Sequence, residues 1–100
     1  MRGVRIVVAD CRPVFLHGLI SILRSEQTFD VVASCCDGME SLQVIRDLSP
    51  DVALLNSSMP LLSGVEVLAR AISEGSSTRI VLVTAAAALP SIVQPASARR

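Results

Sequence analysis

Several residue types are missing or rare in this 100-residue sequence, and each absence reduces the range of functions that we expect for it. There is no Lys, Tyr or Trp, there are two Phe and one His, and the formal net charge is zero. The equal numbers of basic and acidic residues argue against a strongly basic nucleic-acid surface and against an acidic tail. No apolar run approaches the ~20 residues of a membrane-spanning helix, and no signal peptide is visible. We therefore expect a cytoplasmic protein of one domain at most.

The cysteine count is odd, and no C-x-x-C motif occurs among Cys11, Cys35 and Cys36. Because His17 is the single histidine, this pattern is not typical of a zinc site or a disulfide framework. We predict buried structural thiols in a reducing compartment. The five glycines are scattered, so they form no phosphate-binding loop, and no nucleophile has a base beside it. We expect no enzymatic activity.

Short apolar runs alternate with amphipathic stretches along the chain. The runs predict four strands, and the stretches predict three helices that begin near Pro13, Asp37 and Ser63. The alternation, with short connections, indicates a parallel sheet with helices on both of its faces. The near-continuous apolar character of the strands agrees with burial on both sides. The predicted strands are 4–9, 29–34, 52–55 and 79–83.

Polar residues mark the helix ends. Asp37 with Glu40, and Ser63 with Glu66, have the spacing of capping boxes, and Gly75 is a candidate C-cap. The first helix has a wide apolar face, which indicates that it packs against more than one neighbour. The core-facing residues predicted for the other two helices are Met39, Leu42, Ile45 and Leu48, and Val65, Leu68, Ala71 and Ile72.

The chain changes character after Thr84. Two prolines and no helical apolar stripe predict an irregular tail over 85–100, separate from a domain over 1–84. Within this tail, 85–89 could form one helical turn and 91–94 a very short strand.

Three groups of residues resemble the receiver domain of bacterial response regulators, most closely the NarL/FixJ type. They are Asp10 to Phe15 after the first strand, Asp51 to Asn56 with Met59, Pro60 and Gly64, and Thr84 after the fourth strand. The resemblance covers 4–84. It implies a flavodoxin-like (CheY-like) α/β fold, a doubly wound parallel sheet. Here the fold is incomplete, with four clear strands and three helices, because the last helix-strand-helix part is missing.

The resemblance also implies a phosphorylation switch in a two-component system. In the family, a sensor kinase passes a phosphoryl group to an Asp that ends the third strand. Two acids after the first strand hold Mg²⁺ together with that Asp. A Thr or Ser after the fourth strand and a Lys after the fifth then contact the phosphoryl oxygens.

This sequence departs from the family pattern at most of those positions. Asn56 stands at the phosphoacceptor position, and Cys11 replaces the second acid, so Asp10 remains as a weak candidate metal ligand. Thr84 and Ser58 are the candidate phosphoryl-contact positions. The chain has no Lys, and it has no aromatic residue for a switch on a fifth strand. We expect weak or absent Mg²⁺ binding, no other cofactor and no phosphorylation at Asn56.

Each site residue also has a purely structural interpretation. Asp10 could be a leftover metal ligand or could cap the helix that begins at Pro13. Asn56 could bind a ligand through its amide, could satisfy loop backbone groups, or could deamidate to Asp and restore an acceptor. Thr84 could be a structural hydroxyl. Cys11 could be a redox thiol or an inert buried one.

The functional prediction is a degenerate receiver that acts through protein contacts. The expected partner is a second copy, another receiver or regulator, or a sensor histidine kinase, with no direct contact to nucleic acid or membrane. Without a last helix, the first helix would expose apolar surface and the fourth strand would become an edge that invites pairing. The alternatives are an inactive truncated fragment of a phosphorylation-controlled transcription regulator and, less favoured, an enzyme such as a flavin-binding or phosphatase-like protein.

Overall fold

A computed structural model describes residues 3–84 together with the backbone of residues 92–93. The elements in chain order are β1 Val4–Ala9, α1 Pro13–Arg24, β2 Phe29–Cys35, α2 Gly38–Leu48, β3 Val52–Asn56, α3 Gly64–Ser73, β4 Arg79–Val83 and β5 Ile92–Val93. Strands β1 to β4 run parallel in one sheet of order β2-β1-β3-β4-β5, and β5 pairs antiparallel with β4. The prediction of a doubly wound parallel sheet with four strands and three helices is confirmed.

The outer edge of the sheet differs from the sequence-based expectation. A short strand was predicted within 91–94, and it is present as β5, which pairs with Leu82 and Val83. The fourth strand is therefore not a bare edge along its whole length, because its last two residues have a neighbour. The helical turn predicted at 85–89 lies outside the described residues.

Two apolar cores lie on opposite faces of the sheet. The larger one joins the sheet to α2 and α3 and includes Leu42, Ile45 and Val67. The smaller one joins it to α1 through Ile6, Val8 and Leu16. Side chains alternate between the two faces along each strand, and β1, β2 and β3 each contribute residues to both cores. This arrangement explains why the strands are apolar almost throughout.

The predicted stripe of α3 is right for two of its four residues. Ala71 is buried and Leu68 is partly buried against the larger core, as predicted. Val65 and Ile72 are instead 55% and 44% exposed, and the buried Val67 was not in the predicted stripe. Apolar residues occur on both sides of this helix, so their spacing alone does not show which side faces the sheet. In α2, Leu42 and Ile45 are buried as predicted, but Met39 is 50% exposed and the prediction for it is wrong.

The helix ends follow the sequence closely. Ser63 and Glu66 form the predicted reciprocal capping box. Asp37 accepts a hydrogen bond from the Glu40 amide at 2.7 Å, but the Glu40 carboxylate accepts from the Cys36 amide, so the predicted box at α2 is only half formed. Gly75, which follows the C-cap residue Glu74 of α3, has a φ of 76° and takes part in ending this helix as predicted.

The loop between β3 and α3 is held against the starts of two helices. The Gly38 amide donates to the Pro60 carbonyl at 3.1 Å, and the Gly64 amide donates to the Ser57 carbonyl at 3.0 Å. A methyl group at position 38 would overlap the backbone of Leu62, so this close approach requires glycine. Met59 in the same loop is largely buried in the larger core. The loop that follows Asn56 is thus fixed from both sides.

Helix α1 covers its face of the sheet only in part. Leu16 is its one fully buried residue, while Phe15 and Ile22 are 41% and 69% exposed. Leu54 of β3 on the same face is only partly buried. The wide apolar face predicted for α1 therefore includes accessible surface.

No helix among the described residues is long and apolar enough to span a membrane.

Candidate functional site

The sheet brings Asp10 and Asn56 together at the carboxyl ends of two neighbouring strands. Ala9 of β1 lies opposite Leu55 of β3, so the next residue on each strand reaches the same edge. The Asn56 side-chain nitrogen Nδ2 donates to Asp10 Oδ2 at 2.8 Å. Both residues are buried, with exposed fractions of 2% for Asp10 and 7% for Asn56. The two residues singled out from the sequence are therefore in direct contact.

Arg12 completes this cluster, a role that was not predicted from the sequence. Its Nε donates to Asp10 Oδ1 at 3.0 Å, and its Nη2 donates to Oδ2 at 2.8 Å. Its backbone amide also donates to Oδ1 at 2.8 Å. The guanidinium lies over the Phe15 ring, 4.4 Å from the ring centroid. The sequence did contain a signal for this role. Arg12 stands two residues after the strand-end acid Asp10 and directly before Pro13, where the helix starts.

The Asp10 carboxylate has no spare hydrogen-bonding capacity. Its two oxygens accept four hydrogen bonds, three from Arg12 and one from Asn56, which fills the roughly four lone-pair positions of an ionised carboxylate. Asp10 does not cap a helical amide of α1, because the bonded backbone amide belongs to Arg12, the residue before the helix.

Asn56 also holds the loop that follows it. Its side-chain oxygen Oδ1 accepts a hydrogen bond from the Ser58 amide at 2.8 Å. Of the roles open to Asn56 in the sequence, the satisfaction of loop backbone groups is the one the structure displays, together with the bond to Asp10. An ionised aspartate at this position could accept from the Ser58 amide but could not donate to Asp10.

The environment favours the ionised form of Asp10. Burial alone would raise the pKa of this carboxyl. The hydrogen bonds from Arg12 and Asn56, together with the positive charge of Arg12, outweigh burial and lower the pKa below its ordinary value. Asp10 and Arg12 therefore form a charge-neutral pair at the strand ends.

The remaining predicted site residues lie around this cluster. Thr84 directly follows β4 and is half-buried, and Ser58 is exposed in the loop after Asn56. Cys11 and Cys36 are exposed, and only Cys35 is buried, so the prediction of three buried thiols is wrong for two of them. Cys11 and Cys36 come after the last residues of β1 and β2, where the chain leaves the sheet.

Magnesium does not fit the described residues of this edge. No three His, Cys, Asp or Glu side chains in the described part of the chain come together as a metal site. Mg²⁺ requires several oxygen ligands in near-octahedral geometry. Asp10 is the carboxylate at this position, and both of its oxygens already accept hydrogen bonds from a cation and an amide.

The chain is similar in sequence to known receiver domains and to proteins that contain them. The family model described as "Response regulator receiver domain" matches residues 6–99. A protein of Mycobacterium tuberculosis named as a probable transcriptional regulator, NarL, is 38% identical over 82 residues, which cover 82% of this chain and 38% of that protein. This chain therefore spans less than two fifths of that relative.

Solved structures show the same similarity. The signal receiver domain of NarL from Mycobacterium tuberculosis has 35% identity and a TM-score of 0.85, and the match covers 88% of this chain and 71% of that one. The response regulator domain of CheB from Thermotoga maritima has 31% identity and a TM-score of 0.76, with 83% and 61% covered. The chain belongs to the response regulator receiver domain family.

Proposed function

We propose that this chain is a degenerate receiver domain, which accepts no phosphoryl group at the strand-end position and acts through contacts with other proteins. The observation that carries the proposal is Asn56, which lies at the end of β3 with its amide bonded to Asp10 and to the Ser58 backbone. A neutral amide is a poor nucleophile and does not form an acyl phosphate.

The surroundings of Asn56 support the same conclusion. Phosphoryl transfer depends on positioning and on neutralisation of charge, which metal ions and cationic side chains usually supply. Here Arg12 is the cation at the site, and it is bound to Asp10. The chain has no lysine to contact a phosphoryl group.

The structure also argues against conversion of Asn56 to an aspartate by deamidation. That reaction requires the backbone nitrogen of Ser57 to attack the Asn56 side-chain carbonyl. The Ser57 amide instead donates to the Val83 carbonyl at 3.0 Å, and the Asn56 side chain is held by two hydrogen bonds. We therefore expect Asn56 to persist as an amide.

Protein contact is the mode of action we propose. The exposed Phe15 and Ile22 on α1 provide apolar surface for such contacts. The proposed partner is a second copy of the chain, another receiver or regulator, or a sensor histidine kinase in the cytoplasm. The proposal includes no direct nucleic-acid contact, no membrane contact and no catalysis by this chain.

Phosphorylation can be tested by incubating the protein with Mg²⁺ and acetyl phosphate and measuring its intact mass. We expect no mass increase of one phosphoryl group in the wild type. The matched control is the double variant Cys11→Asp, Asn56→Asp, which restores two carboxylates. A phosphoryl adduct at Asn56 of the wild type, found again in independent preparations, would contradict the proposal.

A second candidate function is that of an inactive fragment of a phosphorylation-controlled transcription regulator. The observation that favours it is the loss of carboxylates, because Asn56 and Cys11 stand where the family has acids. A fragment without activity should recover mainly chaperones when it is purified from cells. An interaction module should instead recover a second copy or another regulator in a fixed ratio.

A further inference from the structure

A buried carboxylate needs a compensating charge, and the source of that charge in this chain is Arg12. Asp10 is 2% exposed, whereas the Arg12 side chain is 44% exposed. Transferring a carboxylate out of water is costly unless it is paired and hydrogen-bonded. The planar guanidinium provides two parallel donors to the two carboxylate oxygens, which is the strongest geometry for such a pair.

We propose that the Arg12 guanidinium takes the place of a bound cation at the strand ends, neutralising Asp10 permanently and keeping divalent cations from its carboxylate. The inference rests on the degenerate receiver proposed above and explains why its site needs no metal. The Asp10 site then has one charge state, set by the chain itself rather than by a metal or a phosphoryl group.

The local backbone prepares Arg12 for this role. Arg12 is the extended N-cap residue of α1, with φ −101° and ψ 108°, and Pro13 follows at the first helical position. Its own amide is bonded to Asp10, so the start of its side chain is fixed close to the carboxylate. The Phe15 ring one turn later also lies against the guanidinium and adds a cation–π contact. Little conformational freedom is therefore lost when the pair forms.

A divalent cation would have to displace this pair. Direct coordination to Asp10 requires an oxygen lone pair, and the lone pairs are taken by Arg12 Nε and Nη2, the Arg12 amide and Asn56 Nδ2. The positive charge of Arg12 at 2.8 Å from Oδ2 would also repel the incoming ion. Arg12 thus opposes cation binding both by occupying ligands and by charge.

The test measures Mn²⁺ binding to the folded protein by electron paramagnetic resonance of the free ion. The wild type should bind no Mn²⁺ at millimolar concentration. In the background Cys11→Asp, Asn56→Asp, the further change Arg12→Ala should tighten Mn²⁺ binding by about tenfold or more, because ~1.4 kcal/mol corresponds to each factor of ten. Arg24→Ala, which removes an exposed arginine from the last turn of α1, is the matched control and should leave the affinity unchanged.

Arg12→Lys keeps the charge but not the two-pronged geometry, and it covers the case in which Arg12→Ala does not fold. In the same Cys11→Asp, Asn56→Asp background, Arg12→Lys should raise the Mn²⁺ affinity more than the Arg24→Ala control does and less than Arg12→Ala does. Equal affinities for all of these proteins, or Mn²⁺ broadening of the Asp10 nuclear magnetic resonances in the wild type, would overturn the inference. Phosphorylation of the wild type would instead contradict the proposed function, so the two failures are distinguishable.

Discussion

Asp10 shows how single residues determine the chemistry of the strand ends. Its carboxylate could bind a metal if its oxygens were accessible, but Arg12 and Asn56 use all of its accepting positions. The Asn56 amide is suited to this arrangement because it donates to Asp10 and accepts from the loop at the same time. The same fold therefore holds a stable polar cluster where carboxylates would provide a reactive one.

The cysteines allow a test at the same scale. Burial raises the pKa of the Cys35 thiol to about 11, whereas Cys11 and Cys36 are exposed. Because the thiolate is the reactive form, a chromogenic disulfide reagent at pH near 8 should modify two thiols quickly and the third only slowly. Urea should expose the third thiol to rapid reaction. Three equally fast thiols in the native protein would contradict the placement of Cys35.

Close backbone contacts, together with apolar packing, fix the positions of the helices in this protein. Gly38 starts α2 against the loop after β3, and Gly64 starts α3 against the Asn56 carbonyl. The capping box of Ser63 and Glu66 then fixes the direction of α3. These contacts place the Asn56 loop relative to two helices, so the polar cluster depends on residues that carry no functional groups.

Two glycines provide a paired prediction for the helices. A side chain at Gly38 would overlap the Leu62 backbone, whereas one at Gly18 in the exposed face of α1 would meet nothing within 4 Å. Gly38→Ala should therefore destabilise the protein by about 1–3 kcal/mol or more. Gly18→Ala should stabilise it by ~0.5–1 kcal/mol, since glycine is unfavourable within a helix.

Urea unfolding followed by circular dichroism measures both glycine variants on the same scale. The two free energies of unfolding should change in opposite directions. Equal and small changes would show that the α2 start moves away from the loop without cost.

The whole molecule has two unequal faces. Among the described residues, the core under α2 and α3 has thirteen buried members, whereas the core under α1 has three. Phe15 and Ile22 lie seven residues apart, about two helical turns, so they lie on one side of α1. Both are exposed, at 41% and 69%. Apolar surface of this kind favours association with another protein.

Self-association can be measured by light scattering after size-exclusion chromatography over a range of concentrations. We expect the mass to rise from monomer towards dimer, because pairing removes the exposed α1 surface from water. Ile22→Glu should shift the protein towards the monomer. The control Met39→Glu places the same charge at an exposed position of α2 and should leave the dimer unchanged.

A monomer at every concentration, or an equal effect of both charges, would contradict association through α1. Large soluble aggregates would favour the interpretation of the chain as an inactive fragment.

The sequence by itself determined the order of the elements, most of their bounds and the identity of the residues at the strand ends. Strand and helix periodicity, prolines and capping residues act over short distances, so they are visible in the sequence. The α3 stripe was predicted only in part, because apolar residues occupy both sides of that helix and Val65 and Ile72 are exposed. Which side is buried depends on the sheet, as Val67 shows.

Only the tertiary structure decided how the polar residues are satisfied. Asn56 and Asp10 are 46 residues apart in the chain and meet because β1 and β3 are neighbours. Arg12 could have extended into solvent, but a buried carboxylate beside it makes the paired conformation the favourable one. The exposure of Cys11 was likewise decided by where the chain leaves the sheet. Burial and pairing are properties of the assembled strands, and no local pattern determines them.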